Sequence, residues 1–401
     1  MKRILIVTAL IGTILAACGP AAAPTTPAPT QAPVAASNTA IPTPPATETP
    51  AAVTPTATAT ATSIPDAGPD NFPSGINPLT GLPVSDPTLL GLPAVLISVT
   101  NFPASARPQA GLSTAAMVFE FYVGEGTTRF LAVYYGDFPK ATVPEAGGAL
   151  VDKVGPIRSG RLPYIYIRDA FQWSCLIYAS ATQEIRAQLK GCYIANGTGD
   201  VNSAFVDVTK MKALAQGNLP PNQPFNYSGN LFSTTVPAGG QAANTLKVYY
   251  SLLNQSMWTY DAASGKYLRS ENSPTAADQF TPTTDRLTGQ QLAFSNVIVL
   301  DAPHTAVKPT IIDIDLSLGN TGSATLFRDG QAIPIQWTTT NGAYEAQTGL
   351  RRPIRFTDAA GNPVGLKPGN TWINVMTPYS TLEQPAPGAW EARFYAPSGS
   401  S

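Results

Sequence analysis

The chain reads as an α+β protein: a mixed α/β N-terminal domain over 71–236, then a smaller, mainly β C-terminal domain over 241–379. Three observations predict this. Beyond about Asn71 the composition becomes globular, and roughly 330 residues exceed one ordinary core. Buried-strand runs and helical patterns mix in the first half, whereas short strand-like runs with turn signals fill the second. Between them Pro237-Ala238-Gly239-Gly240 interrupts the apolar patterning.

Residues 1–18 come before either domain. Lys2 and Arg3 precede an apolar run from Ile4 to Leu15, too short for a comfortable membrane span but suited to a signal-peptide core. Leu15-Ala16-Ala17-Cys18 has the form of a lipobox: small residues admit a peptidase, and the Cys18 thiol takes the lipid. The expectation is a lipid-anchored protein on the extracytoplasmic face of a cell membrane, since diacyl attachment anchors firmly. Loss of the leader takes two of the 24 basic residues and leaves 25 acidic ones, a net charge of about −3. That balance speaks against nucleic-acid binding and against a basic membrane patch.

Residues 19–70 follow as a Pro/Thr/Ala-rich tether with almost no charge, whose composition predicts disorder and extended polyproline geometry. With Cys18 lipidated, Cys175 and Cys192 remain. In an oxidising compartment they form either a disulfide, worth about 3 kcal/mol in the chain-entropy model, or two separate buried thiols. No Cys/His spacing suggests a metal, and no cofactor motif is present.

In the first domain, Ala94 to Val99 is a continuous apolar run, as a buried strand requires. Val118 to Val123 and Phe130 to Tyr135 form two more strands around Gly124-Glu125-Gly126, and Ser174 to Tyr178 a fourth. Thr182 to Lys190 is helical, with Ser180 or Thr182 as cap and Gly191 as terminator. A further helix runs from an Asp207 cap to Gly217. In the second domain, strands fall at Lys247–Ser251, Trp258–Tyr260, Tyr267–Arg269, Asn296–Leu300, Ile312–Leu316 and Thr371–Val375. Turns fall at Arg328-Asp329-Gly330 and Asp358 to Asn362. Residues 380–401 read as a tail.

Three segments of the first domain carry a likeness: Asn77 to Pro83 (NPLTGLP), Ala106 to Ser113 (ARPQAGLS) and Gly155 to Arg161 (GPIRSGR). Glu120 and Gly124 to Phe130 add to it, as do Phe327 to Gly330, Trp337 and Pro368 to Ile373 in the second. Together they resemble the YerB-like family of bacterial lipoproteins, a two-part domain of unknown function. The resemblance implies a fold and an address but no reaction. It also implies a histidine after the Cys175-Leu176-Ile177 strand and another in a Pro-His-Asn turn. Here Tyr178 to Thr182 contains none, and the first histidine is His304.

The candidate site is the charge concentration Arg107, Glu120, Glu125, Arg129, Arg158 and Arg161, with Ser159 among them, in a chain with 12% charged residues. Two readings fit. In one, Gly155-Pro156 opens a helix at Arg158-Ser159 whose N–H groups and arginines hold a carboxylate or phosphate. In the other, the arginines and glutamates form a structural ion network. Ser159 reads as a helix-start residue rather than a nucleophile with Lys153 as base, and His304 as a surface residue. Asp313 and Asp315 share a strand face, as exposed polar positions rather than a metal pair. Tyr164, Tyr166, Phe171 and Trp173 are either core or a sugar-binding cluster. Catalytic residues are unassigned. The leading expectation is a non-enzymatic envelope protein binding a cell-wall polymer or an envelope protein. The alternative is a carboxylate-dependent hydrolase or transferase acting on envelope polymer.

Overall fold

The computed structural model describes residues 65–144, 152–273 and 275–400. Cys18, its leader and the tether through residue 64 lie outside the described residues. The body starts earlier than composition suggests. Ala67 exchanges backbone hydrogen bonds with Phe232 (2.9 and 2.8 Å), and Asp70 pairs with Arg352, so 65–70 belong to it.

The N-terminal part supplies strands β1 (Val95–Thr100), β2 (Met117–Tyr122) and β3 (Thr128–Tyr134), helix α1 (Pro163–Ala170), strand β4 (Cys175–Tyr178), and helices α2 (Gln183–Leu189) and α3 (Val208–Asn218). The C-terminal part adds β5 (Gln241–Tyr249), β6 (Gln255–Asp261), β7 (Lys266–Ser273), β8 (Asn296–Asp301), β9 (His304–Lys308), β10 (Ile311–Ile314), β11 (Thr321–Arg328) and β12 (Gln331–Thr338). The short α4 (Ala343–Thr348), β13 (Thr371–Met376), β14 (Thr381–Ala386) and β15 (Gly388–Arg393) follow. The described residues are mostly sheet with few helices.

Hydrophobic runs form the strands where they are expected. Every residue of β1, β2, β3 and β13 is buried, which places these strands in the middle of the molecule with both faces covered. The helices follow spacing: Ile185 and Leu189 in α2, and Met211 and Ala215 in α3, are buried at i,i+4. Their ends differ in detail from expectation. Lys190, not Gly191, takes the left-handed position after α2 (φ 45°). Thr182 and Asp207 sit at the N-cap positions without capping through their side chains; the Asp207 carboxylate instead meets Lys210 at 3.1 Å.

The division at 237–240 does not separate two cores. A central sheet runs β4-β1-β3-β2-β13-β8-β11-β12, and its middle joint is the parallel pairing of β2 with β13, Met117 opposite Thr371 and Glu120 opposite Asn374. A second sheet, β7-β6-β5-β15-β14, connects to it where β12 meets β5. The two sequence parts therefore share their sheet and one continuous hydrophobic cluster from Leu79 to Phe394. The physical reason is that β2 and β13 are buried along their whole length, so the backbone groups of each need a hydrogen-bonded neighbour on both edges.

Residues 380–401 are not a tail either. β15 pairs in parallel with β5, Trp390 packs edge-on against Phe327 (5.9 Å), and Phe394 against Tyr122 and Tyr250 (4.7 and 5.3 Å). The likeness-bearing segments of the two parts also meet. The Gly369 N–H donates to the Thr80 carbonyl (2.7 Å), and Asn370 Nδ2 to that of Ser113 (3.3 Å). Gly369 has φ 136°, and a Cβ there would stand 1.9 Å from Ser295 Oγ, so only glycine fits this junction.

Candidate functional site

Strand alternation splits the charge constellation into two groups on opposite faces of the central sheet. Glu120 lies opposite Phe130 in the β2–β3 ladder, and Arg129 opposite Phe121 and Thr100. Adjacent positions on a strand face opposite ways, so Glu120 and Arg129 cannot meet.

On the Glu120 side the partner is a residue that the sequence did not single out. Arg269 of β7 is 1% exposed and sits over Trp372, Phe130 and Trp258, 4.9 to 5.9 Å from their ring centres. Its Nη1 donates to Glu271 Oε2 and Thr283 Oγ1, each at 3.0 Å, while Nη2 stands 3.9 Å from Glu120 Oε2. Glu120 Oε1 accepts from Thr128 Oγ1 (2.8 Å). Burial pushes the Glu120 carboxyl above its usual range, with Arg269 and Thr128 opposing. Arg107 closes the group at 3.3 Å from Glu271, and its Nη2 donates to Asn101 Oδ1 (3.2 Å). These residues form a buried ion network that joins Arg107 and Glu120 of the constellation to Arg269 and Glu271 of β7.

The other face gathers Arg129, Arg158 and Arg161, and none of the three has a carboxylate within ion-pair distance among the described residues. Arg129 is 5% exposed. Its Nη1 only just reaches the Ser159 carbonyl (3.5 Å), and its buried Nε has no partner among the described residues. Burial, then the charges of Arg161 and Arg158, bring its pKa down to about 9, against the influence of Tyr164. Arg161 Nη1 donates to the Thr310 carbonyl (2.9 Å), but its Nε is likewise buried and unpartnered. Arg158 Nη1 donates to the Val201 carbonyl (3.2 Å) at an open cavity of about 260 Å3, which Asp200 also lines without pairing to it.

The segment carrying these arginines is not the start of a helix. Gly155 bridges Ala110, Ile157 bridges Val99, and α1 begins only at Pro163. Ser159 is no helix-start residue bonding its own backbone. Its Oγ meets Ser180 Oγ at 2.8 Å, in the segment lacking the histidine that the likeness implies, and Lys153 is not among its partners. Glu125 joins neither group; it is exposed in the β2–β3 turn at φ 51°.

Other expectations resolve as follows. Cys175 and Cys192 are joined, with Cα atoms 5.2 Å apart. Asp313 accepts from the Tyr166 hydroxyl (3.1 Å) and Asp315 from Ser317 Oγ (2.6 Å), so the two serve local bonds. His304 is half-buried rather than a free surface residue. Its ring packs against Phe394 (5.5 Å), Nδ1 donates to the Ala302 carbonyl (2.8 Å), and Nε2 is buried. Tyr164 and Phe171 are core, whereas Trp173 is half-buried beside a cavity. No helix of the described residues is long and apolar enough to cross a membrane.

Residues 79–219 match the N-terminal domain of a protein family of unknown function, DUF3048, and residues 246–373 match its C-terminal domain. The candidate lipoprotein YerB of Bacillus subtilis (strain 168) is 28% identical over 331 residues, covering 78% of this chain and 89% of that protein. The crystal structure of Bacillus subtilis YerB superposes with a TM-score of 0.56 at 25% identity, over 75% of this chain and 96% of that one. With both domain matches in order and the YerB fold over most of its length, the chain belongs to the DUF3048, YerB-like family.

Proposed function

We propose that this is a lipid-anchored protein of the extracytoplasmic membrane face whose body binds an anionic group of an envelope polymer at Arg129, Arg158 and Arg161. The observation that carries the reading is the gathering of three guanidinium groups with no carboxylate among them. Removing a guanidinium from water is costly unless a counter-charge and hydrogen bonds replace the water. The opposite face shows what this protein does when arginine is structural: Arg269 and Arg107 are given Glu271 and Glu120. Phosphate or carboxylate oxygens would take the free donors at Arg129 and Arg161, and Arg158 brings the site to the open cavity. The lipobox at Cys18 and the lipoprotein naming of the relative support the address.

The reading is one of binding, because the Ser159 hydroxyl, in the segment that carries Arg158 and Arg161, is engaged by Ser180 and has no base among its partners. Purified cell-wall polymer incubated with the full-length protein tests it. The polymer binds and stays chemically intact, and Arg158→Ala weakens binding by about tenfold, the worth of one charge-assisted hydrogen bond. Undiminished binding by that variant, or polymer cleavage by the parent protein, would count against it.

A further inference from the structure

A second polar cavity, of about 350 Å3, lies at the far end of α1, and its lining includes Arg168, Asp169, Trp173, Ser174, Lys190 and Arg351. Ser174 is 3% exposed, yet its Oγ has no hydrogen-bond partner among the described residues, and the buried Nε of Arg168 has none either. Buried hydroxyls are nearly always paired, so an unpaired one in a residue that lines a cavity calls for a partner, which a ligand group can supply. Asn218 Nδ2 donates to the Trp173 and Ser174 carbonyls (2.8 and 2.9 Å), which holds the turn that presents both side chains. The indole is tethered at one edge by its Nε1–H to the Pro224 carbonyl (3.3 Å). Trp173 (φ 62°) and Lys190 (φ 45°) both occupy the left-handed region, a cost of about 1 kcal/mol or more for such residues. The Cys175–Cys192 disulfide ties the two walls, since Ser174 precedes one cysteine and Lys190 lies two residues before the other.

We infer that this cavity binds a sugar ring bearing a carboxylate, independently of the three arginines at the other end of α1. Its size suits a monosaccharide. An indole wall matches the apolar face of a pyranose, and the Ser174 hydroxyl matches a ring hydroxyl, which both donates and accepts. The charge selects an acidic sugar. Arg168 is partly neutralised by Asp169, but Lys190 and Arg351 at the exposed rim have no acidic partner among the described residues.

Calorimetric titration of the full-length protein with D-glucuronate and with D-glucose tests this. Glucuronate binds about tenfold more tightly than glucose, as one charge-assisted hydrogen bond provides. Arg351→Ala, at an exposed position, removes that preference. Trp173→Asn, which tolerates the same backbone, weakens both sugars, and Arg351→Ala leaves glucose binding as it was. Three results overturn the assignment: no glucuronate binding to a Kd of about 10 mM, equal affinity for the two sugars, or loss of glucuronate binding in Arg158→Ala, which would place the carboxylate among the three arginines.

Discussion

At His304, protonation is opposed by the surroundings. Burial lowers its pKa to about 4, from an ordinary 6.5, against the pull of the Ala302 carbonyl. The unfolded chain therefore takes up a proton below about 6.5 that the folded chain refuses until about 4, so this residue reduces stability as pH falls through that window. Burial raises Asp301 to about 6, which acts in the opposite sense, so the effect of His304 is read as a difference. The His304→Gln variant is expected to lose less of its thermal midpoint than the parent between pH 6.5 and pH 4. Equal losses would show that the ring titrates freely. At Arg269 the expected effect is larger: Arg269→Met strands Glu120 in a dry interior, leaves Glu271 with Arg107 alone, and costs about 3–5 kcal/mol in denaturant unfolding. The sequence pointed to the arginines and to Glu120, but not to their grouping. Glu120 and Arg269 are 149 residues apart, and Arg269 reads as one polar position in an alternating strand.

Among the elements, the two C-terminal strands make the clearest test. Deleting residues 380–401 removes β15 from the edge of β5, and with it the packing of Trp390 and Phe394. A loss of one large aromatic from a core costs about 3–5 kcal/mol, so the truncated protein is expected to unfold at far lower denaturant or fail to accumulate. A truncated protein with the parent's midpoint would show that these strands are dispensable. They were not legible in the sequence because Thr381–Ala386 is largely exposed and carries Pro385, so their partner strand defines them more than their own pattern. Helix α1 was missed for the opposite reason. Tyr164-Ile165-Tyr166-Ile167 alternates like a strand, and only Pro163 at its first position marks a helix. The central strands β1, β2, β3, β8 and β13 were legible because both of their faces are buried, which leaves long apolar runs, interrupted in β2 only by Glu120 and in β13 by Asn374.

Across the whole molecule, the two family domains are segments of sequence that fold into one shared sheet. Since β2 and β13 are neighbours at its centre, thermal unfolding of the full-length protein is expected to show one transition rather than two. Two separated transitions would restore independent domains. The same sheet divides the charges, with a paired network on one face and, among the described residues, arginines without a carboxylate partner on the other, and that division is the basis for the proposed anion site. Its most direct test is the thermal midpoint of Arg129→Met in a buffer free of phosphate and other multivalent anions, and again with phosphate added. Removing an unpaired buried charge should leave the midpoint unchanged or raise it, by as much as about 1–4 kcal/mol of stability, and should abolish the rise that phosphate gives the parent protein. A destabilisation of about 3–5 kcal/mol with the phosphate response intact would mean that Arg129 is a paired structural residue, and would contradict the account.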